Sequence, residues 1–330
     1  MNRREFIITS AGVALSAAAG PGHGGPDMPA QKPAGVKTKV SLIKTPDRHE
    51  GVNRAIDLLK INPVSGKSVL LKPNFNTADQ FPGSTHHDTL EAIILRLKAM
   101  KAKSITVGER SGPPDTADVM REKGIYALCE KHGVKLINFE ELPPADWVRI
   151  KPVRTHWRSG FDVARPVLDA ECVVATCCLK THAYGGVFTL SLKLAVGITH
   201  KRNMTELHTS FMSMRKMIAE INQAYSPALI VLDAIEGFVD KGPARGPKKR
   251  ADVIVAGTDR IAIDAVGLAI LKELGSNKDI MDTRIFDQEQ MSRAVELGLG
   301  VGRPEDIELV TDDAPGKEYA ERIRDILLRG

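Results

Sequence analysis

The chain has 330 residues, of which 42% are hydrophobic, enough for a substantial core in one large domain or two smaller ones. With 5% aromatic residues and a formal net charge of +5, it lacks the stacking platforms and long basic stripes of a nucleic-acid binder, and no nucleic-acid partner is expected.

The N-terminal stretch "NRREFIITSAGVALSAAAG" sets Arg3 and Arg4 before a modest apolar run, Phe6 to Ala19, and ends in small alanines suited to a signal peptidase. Residues 1–20 resemble a twin-arginine (Tat) export signal. This implies the Tat translocon as a partner and a periplasmic or other extracytoplasmic location. The run is too short and too rich in Ala, Gly and Ser to span a bilayer stably, so no stable span is expected after cleavage. Removing Arg3, Arg4 and Glu5 leaves 44 basic against 40 acidic residues, a mature charge of about +4. Residues 21–38, rich in Gly and Pro, read as a flexible lead-in. Residues 39–330 read as one α/β domain, with a subdivision near residue 160 as the alternative.

From Lys39 onward, β-branched runs alternate with helical patterns. "KVSLIK" from Lys39 precedes "HEGVNRAIDLLK", "SVLLK" from Ser68 precedes "HHDTLEAIILRLKAM", and "SITVGE" from Ser104 precedes "TADVMREKGIYALCEKHG". "VKLINF" from Val134 and "ECVVATCC" from Glu171 read as further strands. "TELHTSFMSMRKMIAEINQAY" from Thr205 then reads as one helix with Leu207, Phe211, Met214, Ile218 and Ile221 as its apolar stripe. "ALIVLDA" from Ala228, "DVIVAG" from Asp252 and the helical "TDRIAIDAVGLAILKELG" follow. The alternation predicts an α/β fold: a mostly parallel sheet with helices on both faces, in a doubly wound three-layer architecture.

In such sheets ligands bind beyond the carboxyl ends of the strands, where loops gather and helix N-termini point. Polar clusters follow the strand runs there: "KPNFN" with Lys72 and Asn74, "GERSG", "LKTHAYGG" with Lys180 and His182, "DAIEG" with Asp233 and Glu236, and "GTDRIAID" with Asp259 and Asp264. One rim is therefore expected to carry Lys72, Lys180, His182, Asp233, Glu236 and Asp259. Lys180 and His182, two residues apart just past a strand, suit an anionic ligand and proton transfer. Lys193 lies in an otherwise apolar stretch, and Lys201 lies just before the helix that carries His208. Asp264, flanked by Ile263, Ala265 and Val266, needs a partner. Cys172, Cys177 and Cys178 read as small buried residues, and with Cys129 they offer neither a C-x-x-C motif nor iron–sulfur spacing.

These pieces together resemble the domain of unknown function 362 family from about Val40 to about Leu274. The likeness rests on "KPN" (72–74), "LKTH" (179–182), "TLSLK" (189–193), Gly197, His208, "LDAIEG" (232–237), "KGPARG" (241–246) and "TDRIAIDAVG" (258–267). This chain has Lys193-Leu194 where typical members have Lys-Asn, and Asp233-Ala234 where they have Asp-Gly. It also lacks the cysteine-rich ferredoxin-like segment of some relatives.

The resulting expectation is an exported protein with a polar cleft that takes an anionic small molecule. In one reading it is a metal-dependent or redox enzyme, and in another a non-catalytic periplasmic ligand-binding or envelope assembly protein. His182, Lys180 and Asp264 are the candidate catalytic groups, and Lys72, Asn74, Lys193 and Lys201 the candidate ligand-binding groups. His208, Asp233 and Glu236 are candidate ligands for a divalent metal.

Overall fold

Buried side chains alternate along the strands and sort to the two faces of one sheet. The computed structural model describes residues 37–330; the expected export signal lies outside the described residues, as does the lead-in through residue 36. In chain order the strands are β1 (Thr38–Lys44), β2 (Ser68–Lys72), β3 (Ser104–Glu109), β4 (Lys135–Asn138), β5 (Trp147–Ile150), β6 (Phe161–Ala164), β7 (Cys172–His182), β8 (Val187–Thr189), β9 (Pro227–Phe238), β10 (Lys248–Gly257) and β11 (Ile307–Val310). The helices are α1 (Arg48–Leu59), α2 (His87–Ala99), α3 (Thr116–Glu122), α4 (Ile125–Lys131), α5 (Arg165–Leu168), α6 (Ser191–Leu194), α7 (Asn203–Thr209), α8 (Met214–Ile221), α9 (Arg260–Glu273), α10 (Lys278–Met281), α11 (Glu289–Glu296) and α12 (Ala314–Arg329).

The main sheet runs β11-β1-β10-β9-β7-β2-β3-β4, with β8 added to β7. Neighbours from β9 to β4 are parallel, as are β1 and β11, whereas β10 is antiparallel to both β1 and β9. This is the mostly parallel α/β fold that the alternation predicts. Val52, Leu90, Met120 and Ile125 of α1 to α4 cover one face over Ile43, Leu71, Val107 and Val231. On the other face Ile263, Met291 and Ile323 pack over Leu42, Cys177, Leu179 and Val255. A third cluster around Trp157, Phe161, Leu207 and Met217 seats the separate β5/β6 pair. Among the described residues no helix is long and apolar enough to cross a membrane.

Several local readings are corrected. The strand from Cys172 does not end at Cys178; it continues through Lys180 to His182, because β8 returns beside it and pairs Lys180 with Thr189. The helix expected over 116–133 breaks at Gly124, which takes φ +64°, a conformation glycine adopts without strain. The helix expected over 205–225 splits into α7 and α8. Thr209 Oγ1 donates to the Thr205 carbonyl and Ser210 Oγ to the Glu206 carbonyl, competing with the helical ladder. Phe211 consequently lies outside the stripe and is 75% exposed. Because β10 is antiparallel, Asp259 follows its end at the sheet edge opposite the carboxyl rim. There Asp259 caps α9, accepting from the amides of Ile261 and Ala262, each at 3.0 Å.

Helix α1 sits so close to β10 that a methyl group on Gly51 would lie 2.6 Å from Ile254 Cγ1 and 3.0 Å from Thr45 Cγ2. Gly51→Leu is therefore expected to overpack this contact and lower unfolding stability by about 1–3 kcal/mol, read from the midpoint of chemical denaturation at unchanged m-value.

Candidate functional site

Strands β3, β2 and β7 are adjacent and parallel, so the residues at their carboxyl ends meet. Lys72 ends β2, Glu109 ends β3, and Lys180 and His182 end β7. With Asn74, Arg110, Thr189 and Lys193 they line a cavity of about 60 Å³. Lys72 and Lys180 are each 1% exposed and Lys193 is 9% exposed.

Glu109 organises the first part of this site. Its carboxylate pairs with the Lys72 ammonium and accepts from the amides of Phe75 and Arg110, each at 2.8 Å. Burial lowers the Lys72 pKa, and Glu109 opposes that shift. Gly197 gives this pair its room: a methyl group there would lie 2.6 Å from Glu109 Oε1 and 2.8 Å from Lys72 Nζ. Arg110 spends its guanidinium on main-chain oxygens, donating at 2.7 Å to Thr199, at 2.7 Å to Ser111 and at 2.5 Å to Val196. Burial brings it down to about 10. It pins the turn that follows Lys193.

The other cations are less compensated. Lys180 donates to the Gly83 carbonyl at 2.6 Å, and burial lowers its pKa. Asn74 holds the same loop, donating its side-chain amide to the Gly83 carbonyl at 3.2 Å and its backbone amide to Thr85 Oγ1 at 2.8 Å. Lys193 Nζ has neither an acceptor nor an ion-pair partner among the described residues. Burial first, and then Lys180 and Arg110, bring it down to about 8. Burial, reinforced by Lys193 and Lys180, pushes His182 down to about 2, so its imidazole is neutral. His182 Nδ1 and Thr189 Oγ1 are both buried without a hydrogen-bond partner.

Asp264 stands behind this wall. It is fully buried, and its two oxygens accept from the amides of Ser191 at 2.7 Å and Leu192 at 3.0 Å. Burial pushes its carboxyl up to about 8 against those two hydrogen bonds. It caps the single turn of α6 that carries Lys193. Arg260 and Asn222 brace the same turn, since Asn222 Nδ2 donates to the Leu192 carbonyl at 2.9 Å and itself accepts from Arg260.

The cavity therefore gathers Lys72, Asn74, Lys180, His182 and Lys193, while Asp264 supports it from outside. Lys201 does not line it; Lys201 Nζ donates to the Pro114 carbonyl at 2.9 Å and pairs with Glu140. The proposed metal set does not assemble. His208 is exposed, with Nδ1 against the Met204 carbonyl at 2.7 Å. Asp233 accepts from Arg48 at 2.8 Å and from Thr89, and Glu236 pairs with Lys248 at 3.0 Å. Among the described residues no group of three or more His, Cys, Asp or Glu side chains converges to hold a metal ion. The four cysteines are free and buried, and burial raises every thiol, Cys178 to about 11.

Sequence reasoning placed Glu109 and Arg110 in the rim cluster "GERSG" and Thr189 in the run "TLSLK", but named none of the three as a site residue. A Glu-Arg pair closing an apolar strand was the available signal for the first two, but "GERSG" fits no phosphate-loop motif. For Thr189 the run "TLSLK" marked only the segment, and its place opposite Lys180 follows from the return of β8.

Asp264→Asn would turn an NH2 donor toward a backbone N–H. It is expected to cost about 1–3 kcal/mol in chemical denaturation and to raise the apparent pKa of Lys193 toward that of an ordinary lysine as α6 loosens, read from the pH dependence of its modification.

The family model described as "Domain of unknown function (DUF362)" matches residues 69–269, more than half of the chain and all of the residues that line the cavity. A search of curated proteins gives no match. Among solved structures, the lactate racemase apoprotein from Thermoanaerobacterium thermosaccharolyticum is similar at 12% identity. That match covers 90% of this chain and 88% of that one with a TM-score of 0.45.

Proposed function

This chain belongs to the domain of unknown function 362 family, and on that premise we propose that it is an exported enzyme whose cleft binds a small anionic molecule and moves a proton on it. The observation that carries the reading is the charge imbalance of the cavity: Lys72, Arg110, Lys180 and Lys193 surround it with one carboxylate, Glu109, which already pairs with Lys72. An anion entering between Lys180 and Lys193 offsets the cost of holding these ammonium groups away from water. Lys180 and Lys193 are the anion holders in this scheme. Asn74 keeps the Gly83 loop against Lys180, and His182, neutral with a bare Nδ1, is the group that accepts a proton from the bound molecule. The Arg3-Arg4 stretch supports export through the Tat translocon, and in this reading the cleft works on the extracytoplasmic side.

Calorimetric titration of the mature protein with inorganic phosphate and with malonate tests the reading. Lys180→Met and Lys193→Met are each expected to weaken the better-bound anion about tenfold to a hundredfold, the loss of one charge-assisted hydrogen bond. Lys201→Met, outside the cavity, is expected to leave binding unchanged. If neither anion binds the unmutated protein, the reading fails.

The pH dependence has a definite sign. Lys193 is charged below about 8 and neutral above it. Anion affinity is therefore expected to hold through neutral pH and to fall with rising pH beyond about 8, approaching tenfold per unit. The same titration repeated from pH 6 to pH 10 reads it, and Lys193→Arg should move the fall well upward.

A further inference from the structure

The Lys193 side chain and the unpartnered Nδ1 of His182 both pack against Gly186. A methyl group built on Gly186 would lie 2.9 Å from His182 Nδ1 and 3.2 Å from Lys193 Cε, so glycine is what lets both side chains stand this close to the turn between β7 and β8. Lys193 Nζ has no acceptor there, while Lys180 stands on the same cavity wall with two of its three N–H bonds unspent. An anion holder thus sits beside an uncommitted amine and an uncommitted base.

We propose that the cleft takes a small 2-oxo acid, with Lys180 holding its carboxylate and Lys193 condensing with its keto carbon. The inference rests on the anion-binding reading above and adds a covalent step to it. The Lys193 nitrogen lone pair attacks the carbonyl carbon, the C=O π electrons move to oxygen, and a proton passes from nitrogen to that oxygen to give a carbinolamine. The nitrogen lone pair then forms a double bond to carbon as the hydroxyl leaves, taking up the second proton that nitrogen gives up and departing as water. The sum is amine plus ketone giving imine plus water, with no oxidant or reductant. His182 Nδ1 and Thr189 Oγ1 are the groups placed to carry the proton between nitrogen and oxygen.

Two further observations fit. A lysine made less basic by burial and by neighbouring cations keeps a larger neutral fraction than an ordinary lysine, about a tenth at pH 7 for Lys193, and the neutral amine is the form that attacks a carbonyl. The cavity of about 60 Å³ offers roughly four to six water positions, which suits a two- or three-carbon acid. Burial depresses His182 most, followed by the charges of Lys193 and Lys180.

Borohydride trapping of the mature protein with glyoxylate or pyruvate tests the inference, with peptide mass mapping of the reduced adduct. Reduction is expected to fix the acid on Lys193 at least about tenfold faster than on any surface lysine. Malonate should slow the trapping by competition, and acetaldehyde, which has the carbonyl without the carboxylate, should prefer Lys193 less than either acid does and should not be slowed as much by malonate. Lys193→Arg should lose the adduct while keeping the cooperative denaturation transition of the unmutated protein, which separates loss of the nucleophile from loss of the fold. Malonate binding without trapping by either acid, or labelling spread evenly over surface lysines, overturns the imine and leaves the anion site standing. If neither malonate nor phosphate binds, both readings fall.

Discussion

Taking a lysine ammonium out of water costs several kcal/mol unless something compensates it, and the carboxyl edge of this sheet buries Lys72, Lys180 and Lys193 beside Arg110. Compensation is unequal among them. Lys72 has Glu109, and Arg110 has three main-chain oxygens. Lys180 has one carbonyl, and Lys193 has no acceptor among the described residues. The two undercompensated ammonium groups share one small cavity with two polar atoms that also lack partners. A fold keeps such an arrangement only if the surrounding structure holds it in place.

That support is distributed over elements far apart in the chain. The parallel order β3-β2-β7 brings Glu109, Lys72 and Lys180 to one edge. The carboxyl of Asp264, carried on α9, ties down the first amides of α6 and so places Lys193. Arg110 clamps the turn after α6 from the opposite side, and Gly197 lets that turn approach the Lys72–Glu109 pair. Asp264 thus acts on the site through the backbone, a positioning role in place of the catalytic one its sequence neighbourhood suggests.

The acidic and imidazole groups expected to bind metal have other partners. Asp233 faces the α1/α2 side, where Arg48 and Thr89 satisfy it, and Glu236 pairs with Lys248 beside a separate groove. His208 lies exposed on α7. The cleft itself concentrates positive charge, and such a field attracts anions and repels free cations.

Much of the fold was readable from residue order because apolar, β-branched runs at period two and amphipathic runs at period 3.6 are local properties. The strands from Ser68, Ser104 and Ala228 fall where their side chains say, and the residues closing β2 and β7 were recognisable as rim residues because a lysine ending a buried strand has few other places to go. Depth was not readable. Whether Lys180 stands beyond the strand or inside it depends on β8 folding back beside it, and whether Asp259 reaches the rim depends on β10 running antiparallel. Glu109, Thr189 and the partners of Asp264 were hidden for the same reason. Local sequence determined which segments are strands and helices and that cationic residues gather at strand ends. Tertiary structure alone decided which of those charges face one cavity, because pairing direction and register are set by contacts between segments distant in the chain.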